Sequence, residues 1–423
     1  MLKYIDLNYK PDSDDLVCEY YVEPDNTSLE KTAEQIAAES SIGTWTTIST
    51  MNPDMASHLK PSVFHIDRKN NHIKIAYNID LFEMDNIPQI YSAVAGNIFG
   101  MNLLKNLRLE DIHFPKKIIK SFKGPAFGIG GIRKILKVKE RPFVGTIVKP
   151  KVGLNETEHA KVAYDSWAGG LDIVKDDENL TSMKFNDFNE RVIQTLKMRD
   201  RAERETGEKK IYMPNITSDT DTMIKRADFV KEQGGEYIMI DILTSGWAAL
   251  QTIRKMDFGM VIHAHRAMHG AVSRNHHHGI SMMTLAKTAR LIGVDQLHIG
   301  TAIGKMEGSA EEITGIENDI EEDIIHQDRS RNILSQAWYG MKPTLAVCSG
   351  GLHAGMLPKL VNIMGNDIVA QFGGGCHWHP NGPMYGARGI RQALNAVMEK
   401  IPLKKYAKTH TELMEAISKF GVN

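Results

Sequence analysis

The chain has 423 residues, of which 42% are hydrophobic and 24% charged, and its formal net charge is -1. This length exceeds the usual ceiling for one hydrophobic core, so we expect two domains, at residues 1–125 and 126–423. The balanced charge gives no basic field for nucleic acid or an anionic membrane, and no apolar run approaches ~20 residues. The N-terminus lacks the apolar core of a signal peptide, and the three cysteines are too few and too widely spaced for a disulfide framework. A cytoplasmic location is therefore expected.

The first part of the chain has the mixed pattern of an α+β domain. Residues 17–22 and 73–77 have the composition of strands, whereas residues 28–39 and 87–96 have helical patterns. The glycine-rich residues 123–131 predict a linker. Its glycines do not match GxGxxG, so no nucleotide fingerprint is indicated there.

After this segment, short apolar runs alternate with amphipathic stretches long enough for a helix. Eight strands alternating with helices over ~250 residues predict a C-terminal (β/α)8 TIM barrel, with a doubly wound open sheet as the alternative. The predicted strands are residues 143–148, 171–174, 211–213, 237–240, 260–262, 296–299, 344–347 and 367–370.

Polar side chains or bare glycine backbone follow each predicted strand. Because barrel active sites lie at the carboxyl ends of the strands, these groups are expected at one rim. In chain order they are Lys149 and Lys151; Lys175, Asp177 and Glu178; Asn215; Asp241; His263, His265 and Arg266; His298 and the later Lys305; Ser349, Gly350 and Gly351; and Gly373, Gly374 and Gly375.

The run from Lys175 to Glu178 is the most informative feature. Asp177 and Glu178 are hard oxygen ligands of the kind that Mg²⁺ prefers. A lysine beside them repels a metal unless its nitrogen takes up CO2 and becomes a carbamate, which replaces a positive charge by a negative one. The alternative is a strand end with an ordinary Lys–Asp ion pair.

The other groups indicate a doubly anionic substrate. The glycines after the last two strands expose N–H groups where barrels often bind phosphate, although tight turns are the alternative. Arg266 and Lys305 suggest a second anion site, so a bisphosphate is expected. Lys149 and Lys151 are candidates for acid–base work, or for simple anion contact in the case of Lys151. Together these groups predict metal-assisted proton abstraction beside a carbonyl, without choosing between isomerisation, aldol chemistry and carboxylation.

The sequence resembles the large subunit of ribulose-1,5-bisphosphate carboxylase/oxygenase (RuBisCO), in the style of the archaeal form III group. The resemblance is carried by residues 39–47, 96–97, 107–111, 149–151, 169–179, 265–269, 304–308, 349–351 and 371–375. It implies Mg²⁺-dependent enolisation of ribulose 1,5-bisphosphate, followed by addition of CO2 or O2 to give 3-phosphoglycerate, in AMP or nucleoside salvage. It also implies a homodimer, or a higher assembly of dimers, without a small subunit.

The resemblance assigns roles to individual residues. It implies that Lys175, as a carbamate, binds Mg²⁺ with Asp177 and Glu178, that Lys149 and His265 act in catalysis, and that Lys305 steadies incoming CO2. The substrate-binding residues it implies are Lys151, Arg266, His298, Ser349, Gly350, Gly351, Gly373 and Gly374, with Glu39, Thr44, Trp45 and Asn97 completing the site of a neighbouring subunit.

Some positions depart from the plant-type sequence. They are Ile147, Ile299 and the run Cys376-His377-Trp378-His379 after the triple glycine. These changes bear on kinetic constants and CO2/O2 preference. Two alternatives are a RuBisCO-like enolase or isomerase of sulfur (methionine) salvage, which typically lacks the loop lysine, and a non-catalytic binding protein on an inactivated barrel.

Overall fold

Two compact units make up the computed structural model, which describes residues 2–44, 46, 48–303 and 309–422. The N-terminal unit comprises the chain up to Gly124 with Met268–Ile292 and Glu322–Met341. The barrel unit comprises Pro125–Ala267, Gly293–Glu321 and the chain from Lys342 onward. The division into domains at residues 1–125 and 126–423 stays a prediction. Strands and helices are numbered in chain order.

The N-terminal unit contains a five-stranded sheet in the order β10-β4-β1-β3-β2. Strand β1 runs antiparallel to both β3 and β4, and the predicted strands 17–22 and 73–77 fall in β1 and β3. The strands of this unit are β1 Leu16–Pro24, β2 Ser62–Asp67, β3 His72–Tyr77, β4 Leu104–His113 and β10 Gly279–Ile280, with β12 Ile324–Ile325 and β13 Gln336–Ala337 forming a separate pair.

Helices of the N-terminal unit include both predicted ones. Helix α1 begins where the Ser28 side chain accepts a hydrogen bond from the Lys31 N–H, which satisfies one otherwise free donor of the first turn. The helices are α1 Leu29–Glu39, α2 Pro53–Leu59, α3 Ile87–Val94, α4 Lys116–Ser121, α11 His269–Ser273 and α12 Met282–Ile292, with 3-10 turns at Ile79–Leu81 and Asn97–Gly100.

The barrel unit contains eight parallel strands in the order β7-β6-β5-β15-β14-β11-β9-β8. A parallel bridge between Asn215, two residues past β7, and Met239 of β8 joins the two edges of the sheet, so the sheet closes and the open-sheet alternative is wrong. All eight predicted strands are confirmed, as β5 Phe143–Ile147, β6 Ile173–Lys175, β7 Ile211–Met213, β8 Tyr237–Asp241, β9 Val261–His265, β11 Gln296–His298, β14 Leu345–Ser349 and β15 Ile368–Phe372. The fold is therefore a (β/α)8 barrel with a preceding α+β unit.

Helices of the barrel unit begin with α5, which precedes β5, and the others follow strands along the chain. They are α5 Gly128–Leu136, α6 Glu156–Ala168, α7 Phe188–Thr206, α8 Thr220–Glu232, α9 Ile242–Ser245, α10 Trp247–Met256, α13 Ala310–Glu321, α14 Leu357–Met364, α15 Gly374–His377, α16 Pro383–Met398, α17 Leu403–Tyr406 and α18 Thr411–Phe420, with 3-10 turns at Ala354–Met356 and Ala407–Thr409. Within the described residues, none of the helices combines the length and apolar character needed to cross a membrane.

The predicted linker at residues 123–131 is partly wrong, because α5 begins at Gly128. Ile132 and Leu136 of this helix are buried in the hydrophobic core of the barrel unit. The Asp295 carboxylate accepts the N–H of Phe127 at 2.7 Å, just before the helix begins. Burial of the two apolar side chains outweighs the poor helix propensity of the glycines.

Candidate active site

Lys175 is the last residue of β6 and its side chain is fully buried. Its Nζ donates to the backbone oxygen of Asp176 at 2.9 Å and lies 3.3 Å from Met239 Sδ. Burial lowers the pKa of Lys175, against the opposing pull of Glu178 and Asp177. More of this amine is therefore neutral than in an ordinary lysine, and a neutral amine is the form that reacts with CO2.

Asp176 has a structural role that separates it from its neighbours. Its carboxylate lies 3.1 Å from Arg191 and from His159, and it accepts hydrogen bonds from the Tyr212 hydroxyl at 2.7 Å and the Asn215 N–H at 2.9 Å. Burial would raise the pKa of Asp176, but Arg191 and His159 hold it well below its usual range. Asp176 thus ties β6 to α6 and α7.

Two lysines from the chain after β5 meet the two candidate metal ligands. Lys149 Nζ donates to Asp177 Oδ2 at 2.6 Å, and Lys151 Nζ donates to Glu178 Oε1 at 3.2 Å. The Lys149 side chain is 25% exposed and that of Asp177 fully buried, whereas Lys151 is 55% exposed. Glu178 raises the pKa of Lys151. The ion pair of Lys149 with Asp177 is therefore shorter and more buried than that of Lys151 with Glu178.

His265, at the end of β9, lies between two carboxylates. Its Nδ1 is 3.2 Å from Asp241 Oδ1, and its Nε2 is 3.8 Å from Glu178 Oε2. Burial would raise the pKa of Glu178, but Lys175 and His265 hold it at about 2. Glu178 is thus ionised throughout the physiological range and available to a cation.

A buried pair of histidines lies next to His265. His263 contacts Gln296 Oε1 through Nδ1 at 2.8 Å and His298 Nε2 through its own Nε2 at 2.9 Å. Burial lowers the pKa of His263 to about 3, and burial together with His265 and His263 places the pKa of His298 well below its usual range. Because both pKa values lie below the physiological range, the two rings are neutral, and one Nε2 donates to the other.

Arg266 is a buried cation with no hydrogen-bonded carboxylate partner within the described residues. Burial lowers its pKa to about 10, with Glu312 opposing the shift. A Cβ added at Gly300, whose φ is +104°, would lie 2.7 Å from Arg266 Nη2, so a side chain there would strain the backbone and displace the guanidinium from its present position. A buried guanidinium without an ion pair is suited to bind an anion.

The glycine turns after β14 and β15 pack against each other. A Cβ on Gly375 would lie 2.1 Å from the Leu352 carbonyl oxygen, which explains the glycine at that position. A Cβ on Gly373 would lie 3.6 Å from Lys149 Cε, whereas one on Gly374 would meet open space. Ser349 ends β14, and Gly350 and Gly351 follow it with φ of +132° and +78°. The turn after β15 therefore lies beside Lys149 at Gly373.

The residues around Lys175 fit a magnesium ion if the lysine is modified. Within residues 2–44, 46, 48–303 and 309–422, no group of three or more His, Cys, Asp or Glu side chains is arranged to hold a metal. Asp177 and Glu178 supply two carboxylates, and a carbamate on Lys175 would supply a third anionic oxygen donor. Such an all-oxygen set is the kind that Mg²⁺ prefers.

The predicted residues of the N-terminal unit come together in part. Asn97 Nδ2 donates to Glu39 Oε1 at 3.4 Å, which joins the end of α1 to the turn at Asn97–Gly100. Thr44 is partly exposed, five residues after α1 ends. Trp45 and Lys305 lie outside the described residues.

Sequence reasoning placed Asp241 at the rim without assigning it a partner, and it missed two other neighbours of these groups, Met239 and Gln296. Strand register could have found the partners of Asp241 and Gln296. Asp241 pairs with His265 across β8 and β9, and Gln296 pairs with His263 across β9 and β11. The contact of Met239 with Lys175 crosses the barrel interior and has no signal in the sequence.

Comparisons with known proteins show the family of this chain. The family model described as "Ribulose bisphosphate carboxylase large chain, catalytic domain" matches residues 128–420, and the one described as "Ribulose bisphosphate carboxylase large chain, N-terminal domain" matches residues 3–118. A ribulose bisphosphate carboxylase of Methanosarcina mazei is 51% identical over 421 residues, covering 99% of this chain and 98% of the relative.

Solved structures are similar over the same extent. Octameric RuBisCO from Pyrococcus horikoshii OT3, in complex with sulfate ion, matches with a TM-score of 0.91 and 47% identity, covering 99% of this chain and 96% of that one. A dimeric archaeal RuBisCO from Hyperthermus butylicus matches with a TM-score of 0.94 and 42% identity, covering 99% of both chains.

Proposed function

Because the chain belongs to the ribulose bisphosphate carboxylase large-chain family, we propose that it is a ribulose-1,5-bisphosphate carboxylase/oxygenase, a carbon–carbon lyase. The reaction enolises ribulose 1,5-bisphosphate and adds CO2 and water to give two molecules of 3-phosphoglycerate. O2 competes with CO2 in the second step. The archaeal style of the sequence favours a role in AMP or nucleoside salvage.

The observation that carries the proposal is the buried amine of Lys175 next to Asp177 and Glu178. Burial lowers the pKa of Lys175 and so favours the neutral amine, whose lone pair attacks CO2. An ordinary strand-end ion pair would leave the lysine as an ammonium on a carboxylate. Here Lys175 Nζ has a backbone oxygen and a thioether as its neighbours, while Asp177 is paired to Lys149.

Mg²⁺ would be held by the Lys175 carbamate, Asp177 and Glu178. When bound, the metal polarises the substrate carbonyl and stabilises charge on its oxygens. Glu178 is suited to this role because its pKa of about 2 keeps it ionised.

Lys149 handles the proton at C3 of the substrate and at the final three-carbon acid. Its Nζ lies at the mouth of the barrel, partly exposed, next to Gly373. This position allows proton exchange with solvent between steps. His265 is assigned a catalytic role beside it, and the neutral His298 a substrate contact, since it can donate or accept one hydrogen bond without carrying charge.

Two anion sites hold the phosphates at the two ends of the substrate. Arg266 binds one phosphate, because its buried guanidinium lacks an ion pair within the described residues. The N–H groups of Gly373 and Gly374 bind the other. Ser349, Gly350, Gly351 and Lys151 complete the substrate contacts, and Lys305, outside the described residues, steadies CO2.

The active unit is at least a dimer, in which Glu39, Thr44, Trp45 and Asn97 of one chain complete the site of its partner. The hydrogen bond between Asn97 and Glu39 supports a common surface for two of these residues. The solved relatives named above are dimeric and octameric, and closed assemblies of dimers follow from such sharing. We expect no small subunit.

A turnover assay tests the proposal directly. The protein is preincubated with bicarbonate and Mg²⁺, and labelled CO2 and ribulose 1,5-bisphosphate are then added. Label in 3-phosphoglycerate is the expected result. Exchange of the C3 proton without carboxylation would instead favour the RuBisCO-like enolase, and neither reaction would favour a binding protein.

A further inference from the structure

The segment Cys376-His377-Trp378-His379 continues directly from the glycine turn after β15. The Cys376 and Trp378 N–H groups donate to Gly373 and Gly374 carbonyl oxygens at 3.0 and 3.1 Å, so the turn and α15 form one unit. His377 is the last residue of α15. Any contact it makes therefore acts on the position of the glycine turn.

His377 contacts the end of β5. Its Nε2 lies 2.9 Å from Thr146 Oγ1, and Thr146 Oγ1 in turn donates to the Phe372 carbonyl oxygen at 2.6 Å. A threonine hydroxyl has one hydrogen, which the shorter bond uses. His377 Nε2 must then carry a proton and donate it, which fixes the tautomer of the ring.

The hydrogen bond between His377 and Thr146 belongs to a set of contacts that surrounds Lys149. Thr146 and Phe372 are register partners at the end of the β5–β15 ladder. Lys149 follows Thr146 by three residues, and Gly373 follows Phe372 directly. A Cβ on Gly373 would lie only 3.6 Å from Lys149 Cε. The distance between the glycine turn after β15 and the Lys149 side chain thus depends on the contact between Thr146 and Phe372, which the His377 hydrogen bond supports.

We infer that His377 is a positioning residue, which acts through Thr146 and Phe372 to hold Lys149 in register with the phosphate-binding turn. This inference rests on the proposed function. The inference adds a role for His377, which contacts neither the substrate nor the metal in the proposed function.

The protonation state of the His377 ring agrees with a positioning role. Burial lowers the pKa of His377 to about 4, against the hydrogen bond to the Ile147 backbone, and Lys149 lowers it further. The imidazole is therefore neutral at physiological pH and has one N–H to donate to the end of β5.

His379 provides a matched comparison. It is buried two residues further on, but its Nε2 lies 2.5 Å from Glu415 Oε2 of α18, away from both strand ends. Loss of His377 removes its bond to Thr146, whereas loss of His379 removes its bond to Glu415 and the one it accepts from the Asn381 N–H at 3.1 Å. Only loss of His377 removes a bond that ends on β5.

The test compares His377→Leu, His377→Gln and His379→Leu for carboxylation, for exchange of the C3 proton and for melting temperature. Because misplacement by part of an ångström costs on the order of 10-fold, His377→Leu should lower kcat/KM by about 10-fold, in exchange and carboxylation alike. The amide of His377→Gln can donate to Thr146 and should restore activity to within about 3-fold of wild type. His379→Leu should melt at a lower temperature with kcat/KM within about 2-fold of wild type.

A second pair of variants keeps the inference testable if His377→Leu fails to fold. Thr146→Val should show the same loss as His377→Leu, and adding His377→Gln to it should cost nothing further, because both act on one contact. Wild-type kinetics in Thr146→Val, or equal kinetic losses in His377→Leu and His379→Leu, overturn the inference. A wild-type protein that neither exchanges the proton nor fixes CO2 overturns the proposed function itself, and the inference with it.

Discussion

Lys149 Nζ donates a 2.6 Å hydrogen bond to Asp177 Oδ2, so the candidate proton-handling ammonium rests on a candidate metal ligand. A cation bound at Asp177 therefore competes with a positive charge already present. Coulomb repulsion between unit charges a few ångströms apart amounts to about 1 kcal/mol even in water. The pair therefore couples metal affinity at Asp177 to the charge of Lys149, the candidate proton-handling residue.

Lys149→Met should accordingly bind Mg²⁺ about five- to tenfold more tightly than wild type while losing turnover. Calorimetric titration with Mg²⁺ in bicarbonate buffer measures the affinity. Lys151→Met is the control, because its ammonium lies 3.2 Å from Glu178 but is 55% exposed and well screened. Unchanged or weaker Mg²⁺ affinity in Lys149→Met would contradict the competition.

Activation should require CO2 and Mg²⁺ and should rise with pH. Carbamate formation consumes the neutral amine, and burial lowers the pKa of Lys175, so the neutral fraction is enlarged and grows as pH rises. The rate of activation after bicarbonate addition measures this dependence on pH.

Lys175→Ala should be inactive. Lys210→Met removes another fully buried lysine, one that precedes β7, and should keep the dependence on CO2 and Mg²⁺. Full activity of Lys175→Ala, or indifference to Mg²⁺, would refute the metal assignment.

Asp176→Asn should destabilise the protein by about 3–5 kcal/mol, because it leaves Arg191 buried without its partner. Asp177→Asn should cost only about 1 kcal/mol but abolish turnover. The pKa of Asp176 is depressed, so its contribution is complete above the usual aspartate range, about pH 4, and is lost as pH falls below it. Denaturant unfolding from pH 7 to pH 3 should therefore show a steeper acid loss in wild type than in Asp176→Asn. Equal stability of the two aspartate variants would contradict these roles.

Mixed subunits should recover activity that each variant lacks. Lys175→Ala chains and Glu39→Ala chains are each expected to be inactive, whereas one hybrid site of a mixed dimer contains neither lesion. Glu30→Ala on the same helix α1, where Glu30 pairs with the exposed Arg68, is the control and should stay active alone. Heterodimers that form without recovering activity would exclude sites shared between subunits.

Lys305→Ala should separate the two halves of the reaction. Enolisation needs the metal ligands and a base, whereas a fixed ammonium aimed at the added CO2 is worth about 10²–10³ in rate. The variant should therefore lose carboxylation and keep exchange of the C3 proton, as measured by tritium release. Equal loss of both activities would show that Lys305 does not act at the gas-addition step.

Much of the site could be predicted because barrel strands end at one rim. Once the apolar runs were identified as parallel strands, Lys149, Asp177 and His265 had to lie at the same end of the barrel. The sequence could have predicted that Asp176 points away from Lys175 and Asp177, because successive side chains of a strand point to opposite faces. It could not have predicted that Arg191 and His159 contact Asp176 on that side.

The sequence by itself determined the alternation of strands and helices, the residue types at the strand ends and the family, because these depend on local periodicity and short motifs. Tertiary structure alone decided the partners: Lys149 with Asp177, Lys175 with Met239, and His377 with Thr146, the last of these 231 residues apart. It also turned the predicted linker at Gly128 into a helix. Such pairings depend on how the closed sheet brings distant residues within hydrogen-bond distance, and local sequence carries no record of those distances.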